Sequence, residues 1–227
     1  MRLDKYLADM KIGTRSSVKE IIKKGHIRVN EKIIKSSDYK INENDEVYLD
    51  NEKIEYVEYE YIILNKPQDY LSATEDKYDK TIMELIDSKR KDLVPVGRLD
   101  KDTEGLILIT NDGQLNHKLL DPKNHVDKKY YVEVDTKIVD NAADIFKQPM
   151  DLGDFIAKPA KFERIDNYHA YLTISEGKFH QVKRMFSKIG SEVIYLKRIS
   201  FKNLDLGDLP IGEFRYLTDE ELETLRS

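Results

Sequence analysis

The sequence predicts an α+β protein: a small N-terminal domain of two helices followed by strands, then a larger domain built on a mixed or antiparallel sheet. Three observations carry this. Leu3, Tyr6, Leu7 and Met10, and then Val18, Ile21 and Ile22, recur at helical spacing. Residues 61–64, 106–110, 130–134, 170–174 and 193–196 are short runs of strand-forming residues. Helical segments fall between those runs without strict alternation, which favours a mixed or antiparallel sheet over a doubly wound parallel one.

The elements follow in order. Gly13 is expected to close the first helix. Thr14 or Ser17 can cap the second, Ser17 fitting a capping box with Glu20, and Gly25 ends it. Ile27 and Val29 alternate with His26 and Arg28 as a strand, Asn30-Glu31 turns the chain, and residues 42–45 form another turn before Val47-Tyr48-Leu49. Residues 50–60 are polar and acidic and read as a linker, although Ile54, Tyr56, Tyr59 and Tyr61 could begin a strand. The expected domains are therefore 1–58 and 59–227. Helices are expected at 81–86, 113–120 and 181–189, the last with Gly190 just past its end. Thr218 and Glu221 form a capping box that opens a C-terminal helix.

Composition narrows the function. The chain has 227 residues, 40% hydrophobic and 36% charged, enough for a sizeable core. It has no cysteine, which excludes disulfides, cysteine-based zinc or iron–sulfur sites and a thiol nucleophile. No apolar run reaches membrane-spanning length and the first residues lack the apolar core of a signal peptide, so a cytoplasmic location with no membrane partner is expected. The net charge is −5, but residues 1–35 carry +6 and the remainder −11. That asymmetry suits a basic docking module on an acidic body, or a solvated basic helix face. His26, His117, His125, His169 and His180 show no paired ligand spacing, so no metal is expected.

Three motifs bear on chemistry. Gly97-Arg98-Leu99-Asp100-Lys101-Asp102-Thr103-Glu104-Gly105 is a glycine-bounded loop of carboxylates and cations before the apolar run 106–109. An Asp there suits a nucleophile or general base, and the stretch also fits a polar turn. Residues 176–202 hold seven Lys/Arg against two Glu, with Phe179, Phe186, Tyr195 and Phe201 interleaved. Cations for phosphate and rings for bases suit a nucleic-acid strand, while Val182, Met185, Phe186 and Ile189 also fit the core face of an amphipathic helix. In Lys128-Lys129-Tyr130-Tyr131 one ring could face a cleft, or both could pack across strands.

Together these segments resemble the small-subunit-type ribosomal RNA pseudouridine synthases. The loop 97–111, the opening strand Tyr61 to Pro67, Lys128-x-Tyr130, Glu176 to Met185, and Gly212 to Thr218 match that family's motifs in order. Residues 1–50 resemble the S4 RNA-binding fold through Arg2-Leu-Asp-Lys5, Thr14-Arg15 and Gly25-His-Ile-Arg28-Val-Asn30. The resemblance covers essentially the whole chain.

It implies an isomerase that converts a uridine of 16S rRNA, at the 516-type site, to pseudouridine. The N1–C1′ bond breaks, the uracil turns, and C5 joins C1′. Nothing is oxidised and no atoms are gained or lost, so no cofactor is expected. By position in the family motifs, Asp100 is the nucleophile or base and must stay ionised, which a nearby cation favours. Lys183 is that cation, Tyr130 packs on the target base, and Arg98 fills the stack left by a flipped uridine. Arg2, Lys5, Arg15, Lys19 and Arg28 are the expected phosphate contacts. The partner is 16S rRNA or a small-subunit assembly intermediate, met by a monomer. A 23S rRNA synthase of the same family and a non-catalytic S4-type RNA-binding protein are the alternatives. A glycoside hydrolase using Asp100 and Asp102 fits poorly, because two carboxyls in one loop do not straddle a glycosidic bond.

Overall fold

The computed structural model describes residues 1–227, which fall into two units: Met1–Glu60 with Asp87–Leu93, and Tyr61–Ile86 with Val94–Ser227. In the first unit, helices α1 (Leu3–Asp9) and α2 (Arg15–Lys24) precede strands β1 (Ile27–Val29), β2 (Lys32–Ile33), β3 (Val47–Leu49) and β4 (Glu52–Ile54), which pair in the order β2-β1-β3-β4. Every contact in this sheet is antiparallel. Leu3, Leu7, Val18, Ile22, Ile27 and Val47 are fully buried between helices and sheet.

Several local expectations are corrected here. The first helix ends at Asp9, and Lys11, at φ +58°, rather than Gly13 takes the left-handed backbone after it. Thr14, not Ser17, caps α2 by accepting a hydrogen bond from the Ser17 backbone. Residues 52–54 of the expected linker are a strand, because Glu52 to Ile54 complete a hairpin with Val47 to Leu49. Gly25 does end α2, at φ +84°.

The second unit carries β5 (Tyr61–Lys66), β6 (Val94–Pro95), β7 (Glu104–Thr110), α3 (Gly113–Leu120), β8 (Lys128–Val134), α4 (Ala142–Phe146), β9 (Met150–Asp151), β10 (Ile156–Ala157), β11 (Lys161–Arg164), β12 (His169–Ile174), α5 (Gln181–Lys188), β13 (Val193–Phe201), β14 (Leu204–Asp205), β15 (Phe214–Tyr216) and α6 (Asp219–Arg226). The expected helix at 81–86 is a single 3-10 turn, Ile82–Leu85, closed by a Thr81–Glu84 capping box. Nine strands form one mixed sheet with the path β11-β12-β8-β13-β7-β5-β15. Only β13 and β7 pair in parallel, Arg198 lying opposite Gly105. Strands β5 and β7, each paired on both sides, are buried at nearly every position and carry no polar alternation. No helix is long and apolar enough to cross a membrane.

The junction at Gly105 fixes how the loop before β7 meets the sheet. Gly105 sits at φ +103°, and a Cβ there would lie 2.1 Å from the Arg198 carbonyl oxygen. Backbone cannot yield as a flexible side chain can. Gly105→Ala is expected to cost about 3 kcal/mol or more. Urea unfolding measures it, and an unchanged midpoint would overturn the close approach.

Candidate active site

The loop between β6 and β7 is held from below. Lys66 closes β5 with no exposure, and its Nζ donates to the carbonyls of Pro67 (2.9 Å), Lys101 (3.1 Å) and Thr103 (2.8 Å). Ser72 Oγ donates to the Leu99 carbonyl and accepts from the Leu99 backbone N–H, at 2.9 and 3.0 Å. Gly97, at φ +74°, opens the loop and Gly105 closes it. These ties raise Asp100 between two pinned ends, as fits a reactive side chain on a rigid scaffold.

Asp100 lines a cleft of about 110 Å³ together with Arg98, Lys128, Tyr130, His180, Lys183 and Arg198. The Lys183 ammonium lies 3.3 Å from Asp100 Oδ2, and His180 Nε2 lies 3.6 Å from the same oxygen. Lys183 is closer still to Asp102, at 2.6 and 2.8 Å from its two oxygens. Partial burial works to raise the Asp102 pKa, but the Lys183 hydrogen bond and charge outweigh it and hold that carboxyl below its usual range. One cation thus serves two carboxylates.

Strand β8 sorts the two tyrosines by parity. Lys128, Tyr130, Val132 and Val134 point to one face and are buried. Tyr131 points to the other, where it meets Tyr171, Tyr195 and His169. Tyr130 is therefore the ring in the cleft. A register shift between Arg198 and Ser200 in β13 puts Phe201 on the buried side with Arg198. Phe201 lies beneath two buried cations, 5.5 Å from Lys128 Nζ and 5.2 Å from the Arg198 guanidinium carbon. Arg198 also donates from Nε to the Leu106 carbonyl at 2.7 Å, and its Nη2 has no hydrogen-bond partner. Neither cation has a salt bridge.

Burial lowers the Lys66 and Lys128 pKa values to about 8. The unfolded chain then binds more protons than the folded one between pH 8 and about 10.4, so stability should rise with pH in that window. Above pH 10 the effect reverses, since burial raises Tyr61 to about 12 and Tyr195 further, and both lose protons more readily unfolded. Each lysine should add about 1–2 kcal/mol between pH 8 and 9.5. Urea unfolding of Lys128→Met should show a smaller rise than the parent; an equal rise would remove Lys128 from this account.

The expected site residues divide. Asp100, Arg98, Tyr130 and Lys183 come together in the cleft, with Arg98 exposed. In the first unit, Arg15 and Lys19 are exposed on α2 without a salt bridge. Arg2 is paired with Asp4, Lys5 lies 3.6 Å from Asp9, and Arg28 lies over the Tyr48 ring at 3.8 Å while donating to the Asn30 carbonyl. Sequence reasoning assigned no task to Lys66, Ser72, His180 or Arg198. Lys66 gave one signal, a lysine ending a run of buried strand residues. No three His, Cys, Asp or Glu side chains gather into a group able to hold a metal.

The RNA pseudouridylate synthase family model matches residues 60–188, and the S4 domain model matches residues 1–47. An uncharacterized RNA pseudouridine synthase of Bacillus subtilis is 43% identical, over 99% of this chain and 98% of its own length. The ribosomal small subunit pseudouridine synthase A of Haemophilus influenzae is 38% identical, over 99% of both chains. That of Escherichia coli is 36% identical, over 99% of this chain and all of its own. A crystal structure of a pseudouridylate synthase is similar with a TM-score of 0.71 and 37% identity, over 99% of each chain.

Proposed function

Since the chain belongs to the RNA pseudouridylate synthase family and carries an S4 domain ahead of the synthase domain, we propose that it isomerises a uridine of small-subunit ribosomal RNA, at the 516-type site. The observation that carries the reading is the cleft in which Asp100 faces Lys183 and Tyr130 above a pinned loop. Asp100 acts at the sugar or on the base as nucleophile or general base. Lys183 pairs with that carboxylate at 3.3 Å. Tyr130 packs against the flipped uracil, and Arg98, exposed at the cleft, occupies the space the base leaves. The glycosidic electron pair passes to the uracil, C5 bonds to C1′, and the C5 proton is lost as N1 gains one, so the atoms balance with no co-reactant. The small-subunit substrate is supported by relatives that bear that name over their full length.

Pseudouridine mapping of ribosomal RNA from cells with and without this chain tests the reading. One small-subunit site should disappear. A site lost from large-subunit RNA would move the substrate within the family, and no lost site would overturn the reading.

The S4 domain supplies placement and affinity in this proposal. Arg15 and Lys19 are the strongest candidates for phosphate contact, because neither is committed to a carboxylate. Each phosphate contact contributes a salt slope of about 0.7 on single strands and 0.9 on duplex. Arg15→Ala with Lys19→Ala should therefore weaken RNA binding and flatten the dependence of log affinity on log salt by about 1.5. Filter binding across a salt series checks it; an unchanged slope would take α2 out of the interface.

A further inference from the structure

Four rings are interleaved with the basic residues of 176–202, and the fold separates them. Phe186 and Phe201 are in the core, and the Tyr195 hydroxyl donates to Glu104. Phe179 alone stands in solvent, 74% exposed, with its ring stacked on His180 at 3.7 Å and 19°. A large apolar ring held outward forfeits the burial that its neighbours gain. It is also held firmly. Glu176 accepts hydrogen bonds from the Lys158 backbone and the Gln181 amide, both at 2.8 Å, and Gln181 accepts from the Lys178 backbone at 3.1 Å. His180 completes the turn at φ +50°, an uncommon backbone for a residue with a side chain.

We infer that Phe179, backed by His180, is a stacking platform for the RNA base next to the target uridine. The inference rests on the proposed RNA substrate. His180 covers one face of the Phe179 ring and itself lies 3.6 Å from Asp100, so the platform begins at the reacting centre. A flipped uridine has a neighbour on each side; with Arg98 in the space it leaves, the exposed flat ring beside the cleft stacks on one of those neighbours whatever base it is. Lys178, exposed, lines the same cleft without a salt bridge and suits the phosphate beside that base. The pairing of ring and free cation fits a nucleotide better than an apolar peptide.

The chain has no tryptophan, so Phe179→Trp creates a single fluorescent reporter at the platform. The full chain carrying Phe179→Trp and Asp100→Asn is titrated with protein-free, unmodified 16S transcript, with filter binding measured in parallel. Stacking should quench the tryptophan emission in step with binding. Binding without quenching overturns the platform. Kinetics with Asp100 intact give the second arm: Phe179→Ala and Phe179→Leu should raise KM about tenfold with little change in kcat, and Phe179→Trp should restore KM. A wild-type KM for Phe179→Leu would reduce the ring to a simple apolar contact and overturn the inference. Melting temperatures should be unchanged, since the ring packs on little besides His180. Quenching with no turnover by the parent chain would overturn the substrate reading alone, whereas failure to bind any uridine-containing RNA would overturn both.

Discussion

Asp100→Asn is expected to abolish pseudouridine formation, with a loss of at least about 10⁴-fold, while RNA affinity stays within about twofold. Asn preserves the shape of the side chain but is neither a nucleophile nor a base at this position. The loop should keep its course, because it is held by Lys66 and Ser72 through backbone atoms of Pro67, Leu99, Lys101 and Thr103. None of those ties uses the Asp100 carboxylate. Binding should survive as well, since the cations proposed to meet phosphate, Arg15, Lys19 and Lys178, make no salt bridge to Asp100, whose ionic partners are Lys183 and His180. Single-turnover conversion in unmodified small-subunit precursors, alongside filter binding, measures both quantities. A rate close to that of the parent would show that Asp100 is the wrong residue, and a loss of binding equal to the loss of rate would show that it holds RNA instead.

The second large effect is expected from Lys183→Met, a fall in rate of about 10²–10³-fold. Its ammonium is the cation at Asp100, at 3.3 Å, and it also joins Asp102, at 2.6 Å. Met fills similar volume without charge, leaving two carboxylates of one loop to face each other with His180 as the nearest remaining partner of Asp100. Lys183→Arg should be milder, although a planar guanidinium cannot place one point charge between two carboxylates as an ammonium does. Rates measured from pH 6 to 9 check this. A Met variant as active as the parent across that range would dissolve the pairing. Because Lys183 is shared, Asp102→Asn gives a useful contrast: it removes the nearer carboxylate while leaving the Asp100–Lys183 pair in place.

Much of the fold could be read from local pattern. Gly25 after α2, the Thr218 capping box and the five strand runs in the synthase domain are settled by short-range preferences, and each lies where those preferences put it. The errors share a cause. Ser17 and Thr14 are both competent caps, and the helix begins at Arg15, so Ser17 falls inside its first turn and donates its backbone N–H to Thr14. Residues 52–54 look like linker because a two-sided polar strand has no apolar rhythm; pairing with β3 makes it a strand. At 81–86 the apolar spacing suits a helix, but the chain makes a single 3-10 turn and is already extended at Ile86.

For the site, the sequence by itself determined which groups are available: a carboxylate in a glycine-bounded loop, a tyrosine after Lys128, and a lysine two residues into the α5 segment, in an order that resembles one enzyme family. Residue identity and spacing suffice for that, because the chemistry resides in single side chains. The tertiary structure alone decided how those groups are shared and supported. Lys183 reaches two carboxylates because α5 packs beside a loop 81 residues earlier in the chain. Lys66 became the loop's internal tether because its strand is fully buried and its ammonium there meets the carbonyls of Lys101 and Thr103 beside that of Pro67. Tyr130 rather than Tyr131 faces the cleft because pairing with β12 and β13 fixes the parity of β8. Phe179 remained outside while Phe186 and Phe201 were buried, although all three have the same side chain. Burial depends on what a side chain meets across the fold, and no local window of sequence contains that partner.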